Sequence, residues 1–285
     1  MHLSDSELIL NPDGSIYHLC LLPEQVAPTI ITVGDQDRVS AVSKHFDRID
    51  HVVSKREFLT HTGIYKGKPI TVISTGIGTD NIDIVFNELD ALFNIDFKNR
   101  TIKEKFQELT FIRIGTSGAI QEDIEVDSLL ISSEAIGLDS LMAYYDFEYN
   151  KKETLIRDSF LNLVDDIQFA YCAQASAHLL EKFGDPFLKG ITITAPGFYG
   201  PQGRSLRLPL KNASFFNQIK AFNLQNNRIT NLEMETAGIY GLARLLGHQA
   251  ISCNALLANR SNGVFSSNPK KTVELLIEKV LQSIF

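Results

Sequence analysis

The sequence predicts an α/β fold: a single domain, residues 1–285, around one central mixed and twisted β-sheet, largely buried and flanked by helices. Three observations carry this reading. Short β-branched apolar runs alternate with stretches of helical periodicity, the pattern of buried strands between amphipathic helices. Three of those runs end in glycine, at Gly34, Gly76 and Gly115, and α/β sheets bind ligands beyond the C-terminal ends of their strands. No internal repeat, low-complexity tract or Pro/Gly linker divides the 285 residues, a length that one large domain with an ample core accommodates.

The elements follow in order. Residues 29–33 form a β-branched strand ending at Gly34-Asp35, and residues 70–74 a second, ending at Gly76-Ile77-Gly78. Residues 63–69 between them have the Gly/Pro content of a hairpin connection. Ile82, Val85, Phe86, Leu89 and Leu92 share a helical stripe, which predicts a helix over 81–93. Residues 111–114 and 128–132 read as strands. Residues 168–183 read as an amphipathic helix stopped by Gly184 and Pro186. A strand over 191–194, a helix over 233–246 closed by Gly247, a buried strand over 250–258 and a final helix over 272–284 complete the chain. Two polar stretches, 97–108 and 211–230, read as surface insertions.

Composition narrows the function classes. A net charge of −7 offers no global basic field for nucleic acid. Cys20, Cys172 and Cys253 are odd in number and widely spaced, which predicts reduced thiols, no structural zinc and a cytoplasmic location. The N-terminus lacks a basic segment followed by an apolar core, and no apolar run is long enough to span a membrane.

Four segments carry chemistry. Arg113-Ile114-Gly115-Thr116-Ser117-Gly118 follows the apolar Leu109, Phe111 and Ile112. Read as a turn at a strand end, it combines backbone access, hydroxyl donors and a cationic fork, the makings of an anion pocket. In Gly34-Asp35-Gln36-Asp37-Arg38, the acids suit a helix start as caps, whereas a cation there is unfavourable unless an anion sits beside it. Asn231-Leu232-Glu233-Met234-Glu235 opens an apolar helix; residues two apart do not share a helix face, so the glutamates do not read as a carboxylate dyad. In Gly197-Phe198-Tyr199-Gly200-Pro201-Gln202-Gly203-Arg204, an aromatic, an amide and a guanidinium suit a flat, amide-edged ring. A fifth segment, Ser54-Lys55-Arg56-Glu57-Phe58, is on its own a charged surface strand.

Together with Ile16-Tyr17-His18-Leu19, Ser74-Thr75-Gly76-Ile77-Gly78 and Ala258-Asn259-Arg260, these segments resemble, in order and spacing, the nucleoside phosphorylase superfamily, and within it the uridine phosphorylases. The resemblance spans most of the chain and implies a partly barrel-like sheet. It implies that Gly34, Arg38, Arg113 and Thr116 hold orthophosphate as co-substrate, with Arg56 reaching in from a neighbouring subunit. Gln202 and Arg204 would bind uracil with Phe198 against the ring. Glu233, Met234 and Glu235 would serve the ribose, Thr116, Ser117 and Gly118 would line the nucleoside site, and His18 would reach the 5′ side from the partner. Arg113, Gln202, Arg204 and Glu235 would carry catalysis. Self-association as a dimer or a hexamer (a trimer of dimers) follows from the same resemblance, as does the absence of any organic cofactor.

The implied reaction is reversible phosphorolysis of uridine to uracil and ribose 1-phosphate in pyrimidine salvage, with deoxyuridine and thymidine left open as further substrates. Purine-type members carry a Ser-Asp pair where this chain has Asn259-Arg260. Two departures from the family pattern stand out. Thr79-Asp80-Asn81 replaces the common Gly-Gly-Pro-Ser, which argues against the potassium ion that some relatives hold, here at Glu57, Ile77 and Asn81, so no metal is expected. Gly-Pro-Gln-Gly-Arg replaces Pro-Gly-Gln-Glu-Arg in the base loop. The alternatives are a purine nucleoside or methylthioadenosine phosphorylase or nucleosidase on the same fold, and a noncatalytic nucleoside-binding protein. No GxGxxG follows a strand, so a dinucleotide-binding dehydrogenase does not fit.

Overall fold

A computed structural model describes residues 2–284. The N-terminal half contains β1 (Thr29–Val33), α1 (Gln36–Ser43), β2 (Arg48–Lys55), β3 (Phe58–Tyr65), β4 (Lys68–Ser74), α2 (Thr79–Asn94), the short strands β5 (Ile95–Asp96) and β6 (Thr101–Ile102), β7 (Thr110–Ala119) and β8 (Leu129–Gly137). The C-terminal half contains α3 (Lys151–Leu163), β9 (Tyr171–Gln174), α4 (Ala177–Lys182), β10 (Leu188–Thr194), α5 (Phe215–Ala221), β11 (Asn223–Leu224), β12 (Asn227–Glu233), α6 (Thr236–Leu245), β13 (Gln249–Asn259), β14 (Val264–Phe265) and α7 (Pro269–Ile284).

The main sheet runs β11-β12-β10-β8-β13-β7-β1-β4-β3-β2. It is mixed: β1 is parallel to β4 and β7, whereas β13 is parallel to β7 and antiparallel to β8. β12 also pairs back onto β7 through Asn231↔Ala119 and Leu232↔Gly118. That pairing closes β7, β13, β8, β10 and β12 into a ring, the barrel-like part of the sheet, while β1 to β4 extend from it as an open wing.

Alternating side chains bury both faces, as the period of a strand requires. Phe111 of β7 packs with Val85, Phe86 and Leu89 of α2 and Ile239 and Leu242 of α6. Its neighbours Ile112 and Ile114 point the other way, into Val39 and Val42 of α1 and Leu276, Ile277 and Val280 of α7. A third cluster, including Phe160, Phe215 and Ile219, fills the space beneath α3 and α5.

Five expectations are corrected. The hexapeptide from Arg113 to Gly118 is not a turn. β7 continues to Ala119, because β13 pairs with it from Gln249↔Thr110 through Asn259↔Ala119 and satisfies the extended backbone. The 63–69 connection shrinks to Lys66-Gly67, both at positive φ (50° and 73°), the two-residue hairpin geometry whose twist matches the strands. Residues 168–183 are not one helix: Tyr171–Gln174 adds as a strand to β8, fully buried at Tyr171, Cys172 and Ala173, and only Ala177–Lys182 is helical. Helical spacing and burial on both faces look alike in a short apolar run. The helix expected over 233–246 starts only at Thr236, because Glu233 still belongs to β12. The 211–230 stretch is only partly surface, since α5 buries Phe215 and Ile219 in the third cluster and the stretch ends inside β12. The 97–108 stretch is largely exposed around the β5–β6 pair, as expected.

Candidate active site

A cavity of about 850 Å³ opens where β1, β4, β7, β12 and β13 end. β7 forms one wall. At roughly 3.3 Å per residue, Arg113 and Gly118 stand roughly 16 Å apart along it, and the two ends of the cavity differ in chemistry.

At the Arg113 end, β1 runs into Gly34 and the start of α1. The Asp35 carboxylate caps the helix by accepting from the Asp37 N–H at 3.0 Å. Arg38 lies in the first turn of α1, lines the cavity and donates weakly from Nη1 to the Ile114 carbonyl at 3.4 Å. Burial, and then the charge of Arg113, lower its pKa below the ordinary arginine value. The start of α1 and the Arg38 guanidinium line the cavity together, donors that would stabilise an anion bound beside them.

Arg113 is 6% exposed. Its guanidinium folds back along its own strand over Gly115; a Cβ at Gly115 would lie 1.8 Å from Nη1. Nη2 donates to Glu235 Oε2 at 2.6 Å and reaches Glu233 Oε2 at 3.1 Å, and Nη1 donates to Asn254 Oδ1 at 2.9 Å. Burial opposes its charge, but Glu233 and Glu235 outweigh burial and hold its pKa above the ordinary value.

The glutamates therefore do converge, on one guanidinium, because only Glu235 belongs to the helix start while Glu233 ends a strand. Their partners separate their roles. Glu233 accepts from Thr194 Oγ1 at 2.6 Å, from the Glu235 N–H at 3.0 Å and from the Thr236 N–H at 3.0 and 3.1 Å. Its oxygens are committed to capping α6. Glu235 is held by Arg113 and by the Gly78 N–H, which donates to Oε1 at 2.9 Å. Gly76 and Gly78 aim that donor with φ of 70° and 99°, backbone that favours glycine. Burial raises the Glu235 pKa above the usual carboxyl range, with Arg113 pulling against it.

At the Gly118 end sits the 197–204 loop. Arg204 donates from Nη1 to the Phe198 carbonyl at 2.7 Å and to Gln202 Oε1, and its guanidinium lies 3.9 Å from the centre of the Phe198 ring. One face of Phe198 is thereby taken by Arg204, and Gln202 is 2% exposed. Arg260 clamps the loop from below, donating to the carbonyls of Gln202 and, at 3.2 Å, Gly203, while stacking 4.6 Å from the Phe216 ring centre. Burial and then the charge of Arg204 push the Arg260 pKa down to about 10.

Of the residues expected from sequence, Gly34, Arg38, Arg113, Thr116, Ser117 and Gly118 line this one cavity. Phe198, Gln202, Arg204, Glu233, Met234 and Glu235 line it too, as do Glu57, Ile77 and Asn81. His18 and Arg56 do not. His18 Nδ1 lies 2.6 Å from Glu88 Oε1, and Arg56 is exposed in the β2–β3 turn, its carbonyl accepting from Gln36 Nε2 at 2.9 Å. Sequence reasoning missed Phe265 and Leu257 of the lining, the clamping role of Arg260, and Asn254. Arg260 stood out only as a subfamily marker, and Asn254 left its signal as a lone amide inside a strand expected to be buried. Among the described residues no group of three or more His, Cys, Asp or Glu side chains could hold a metal, and no helix is long and apolar enough to cross a membrane.

Residues 28–282 match the phosphorylase superfamily. The chain is 32% identical over 273 residues to a uridine phosphorylase of Thermococcus kodakarensis, covering 95% of this chain and 87% of that one. It is 27% identical over 268 residues to a DeoD-type purine nucleoside phosphorylase of Colwellia psychrerythraea, covering 91% and 95%. Among solved structures, a Trypanosoma brucei nucleoside phosphorylase described as showing uridine phosphorylase activity superposes with a TM-score of 0.90 at 29% identity, covering 97% of this chain and 99% of that one.

Proposed function

The chain belongs to the phosphorylase superfamily and is a pentosyl-transferring enzyme, and we propose that it catalyses the reversible phosphorolysis of uridine to uracil and ribose 1-phosphate. The observation that carries this choice is the charge at the base end of the cavity. Arg204 and Gln202 line it, Arg260 backs it, and the lining carboxylates (Asp35, Asp37, Glu57, Glu233 and Glu235) all lie toward the Arg113 end. A leaving purine is assisted by an acid that protonates its ring. A leaving uracil carries its electron pair onto N1 and, by delocalisation, onto its carbonyls, and donors with positive charge suit it. In this chain the position of the purine-type aspartate is taken by Arg260.

In this reading orthophosphate sits against Arg38, Arg113 and Thr116. As the C1′–N1 bond breaks, the ribose gains oxocarbenium character; a phosphate oxygen bonds to C1′ and the bonding pair leaves with uracil. Arg204 and Gln202 stabilise that charge as preorganised donors, where the loss of one costs about a hundredfold or more. Glu235 and Met234 orient the ribose between the two ends. His18 and Arg56, which lie outside their own chain's cavity, complete the site of a second subunit. The cavity volume is that of a pre-formed small-molecule site.

Purified protein given uridine, inosine or adenosine, with and without millimolar phosphate, tests the reading. Uracil release that requires phosphate, with no hypoxanthine or adenine released, is the expected result. Absence of uracil at millimolar phosphate, or preferential release of a purine, overturns it.

A further inference from the structure

We propose that Asn254 is a positioning residue for Arg113, and that its neutral amide keeps that guanidinium available to an anion. The inference rests on the reading above only in taking phosphate as the ligand of Arg113.

Asn254 stands on β13 directly opposite Gly115 of β7, the position over which the Arg113 guanidinium lies. Arg113 already faces two carboxylates, Glu235 at 2.6 Å and Glu233 at 3.1 Å. Its Nη1 donates to the carbonyl oxygen of Asn254 at 2.9 Å and, more weakly, to Ser252 Oγ at 3.5 Å, acceptors that add no charge. Two carboxylates already outnumber the one guanidinium, and a third beside it would add repulsion against an incoming phosphate.

Arg113 can only donate, so Asn254 presents Oδ1 to it and turns Nδ2 the other way. Its Nδ2 donates to Ser132 Oγ and to Ser252 Oγ, each at 3.4 Å. The Ser132 and Thr192 hydroxyls are 2.5 Å apart, and Thr192 Oγ1 donates to Asn231 Oδ1 at 2.8 Å. Asn231 Nδ2 then donates to Ser117 Oγ at 2.9 Å, and Ser117 lines the cavity. With Ser132 donating to Thr192, every bond points the same way, from Arg113 through Asn254, Ser132, Thr192 and Asn231 to Ser117. Head-to-tail donation of this kind is cooperative, and a satisfied buried network specifies one arrangement. The path crosses β7, β13, β8, β10 and β12 and returns to β7, the same five strands that close the barrel. Asn254, Ser132, Thr192 and Asn231 are each fully buried.

The test separates phosphate from uridine in steady-state kinetics of Asn254→Asp, Asn254→Ala and Ser132→Ala. Asn254→Asp keeps size and acceptor but adds charge. It should raise the KM for phosphate by about tenfold or more, with the KM for uridine within about twofold of native. Asn254→Ala should raise the phosphate KM as well, and Ser132→Ala by less. Thermal melts establish that each variant is folded, and calorimetric titration with inorganic phosphate alone gives the same ranking without turnover. A folded Asn254→Asp with native phosphate KM and native phosphate binding overturns the inference, as does a fall in kcat with both KM values unchanged, the mark of a merely structural role. Wild-type protein that releases uracil without phosphate overturns the proposed function instead.

Discussion

Arg113 reaches its place because Gly115 has no side chain. The two residues share a face of β7, and the guanidinium fills the volume a Cβ would claim, 1.8 Å from where that atom would stand. Gly115→Ala must therefore push Arg113 off Glu235 and Asn254 while leaving the strand paired on both sides. We expect its kcat/KM for uridine phosphorolysis to fall by about a hundredfold or more, as when a charge-stabilising donor is removed, and to approach that of Arg113→Ala. Overpacking of this kind costs roughly 1–3 kcal/mol of stability, so a melt shows whether the fold survives. Native turnover in a folded Gly115→Ala would separate Arg113 from the chemistry. At this scale the sequence showed residue types well and their reasons poorly. Arg38, Arg113, Gln202 and Arg204 were picked out as donors and do line one cavity. Gly115 was taken for the pivot of a turn. That a glycine makes room for the arginine two residues before it depends on strand continuity, which comes from pairing with a segment more than a hundred residues away.

The junction from β12 into α6 places two carboxylates with opposite duties. Glu233, at the strand end, gathers the first N–H groups of α6, the Thr194 hydroxyl and one side of Arg113. Glu235, one step into the turn, holds the other side of Arg113 and reaches Gly78. The two alanine variants should then fail differently. Glu233→Ala removes a cap and unbalances a buried ion pair, which should cost on the order of 3 kcal/mol of stability in urea denaturation. Glu235→Ala should leave more of the fold intact and lose turnover, chiefly in kcat. A Glu235→Ala enzyme with native kcat and altered phosphate affinity alone would contradict an orienting role toward the ribose. The sequence located this element but started its helix too early, and that shift hid the convergence. Two glutamates placed two apart on a helix point to different faces, whereas one on a strand end and one on the first turn can share a guanidinium. The Tyr171–Gln174 strand was obscured for a related reason: apolar residues buried on both faces carry no period that separates strand from helix.

Across the whole molecule, the alternation of strands and helices was legible from β-branched runs and glycine stops, and the sheet order was not. Closure of the barrel depends on β12 pairing with both β10 and β7, a choice that local sequence does not encode. The same scale bears on the two expected site residues that stand outside the cavity. Arg56 lies exposed in the β2–β3 turn and His18 is tied to Glu88. If they serve the site of a second subunit, each active site is built from two chains, and damage can be divided between them. Arg56→Ala and Glu235→Ala proteins should each be nearly inactive toward uridine. After subunit exchange in an equimolar mixture, half of the dimers are mixed, and one of the two sites in each mixed dimer has neither substitution. Activity should recover to about a quarter of the wild-type value, the outcome that two-fold symmetry with a shared site requires. Native mass spectrometry of differently tagged chains shows whether exchange has occurred. Mixed dimers without recovered activity would place Arg56 outside the site, and an active monomer would remove both Arg56 and His18 from it.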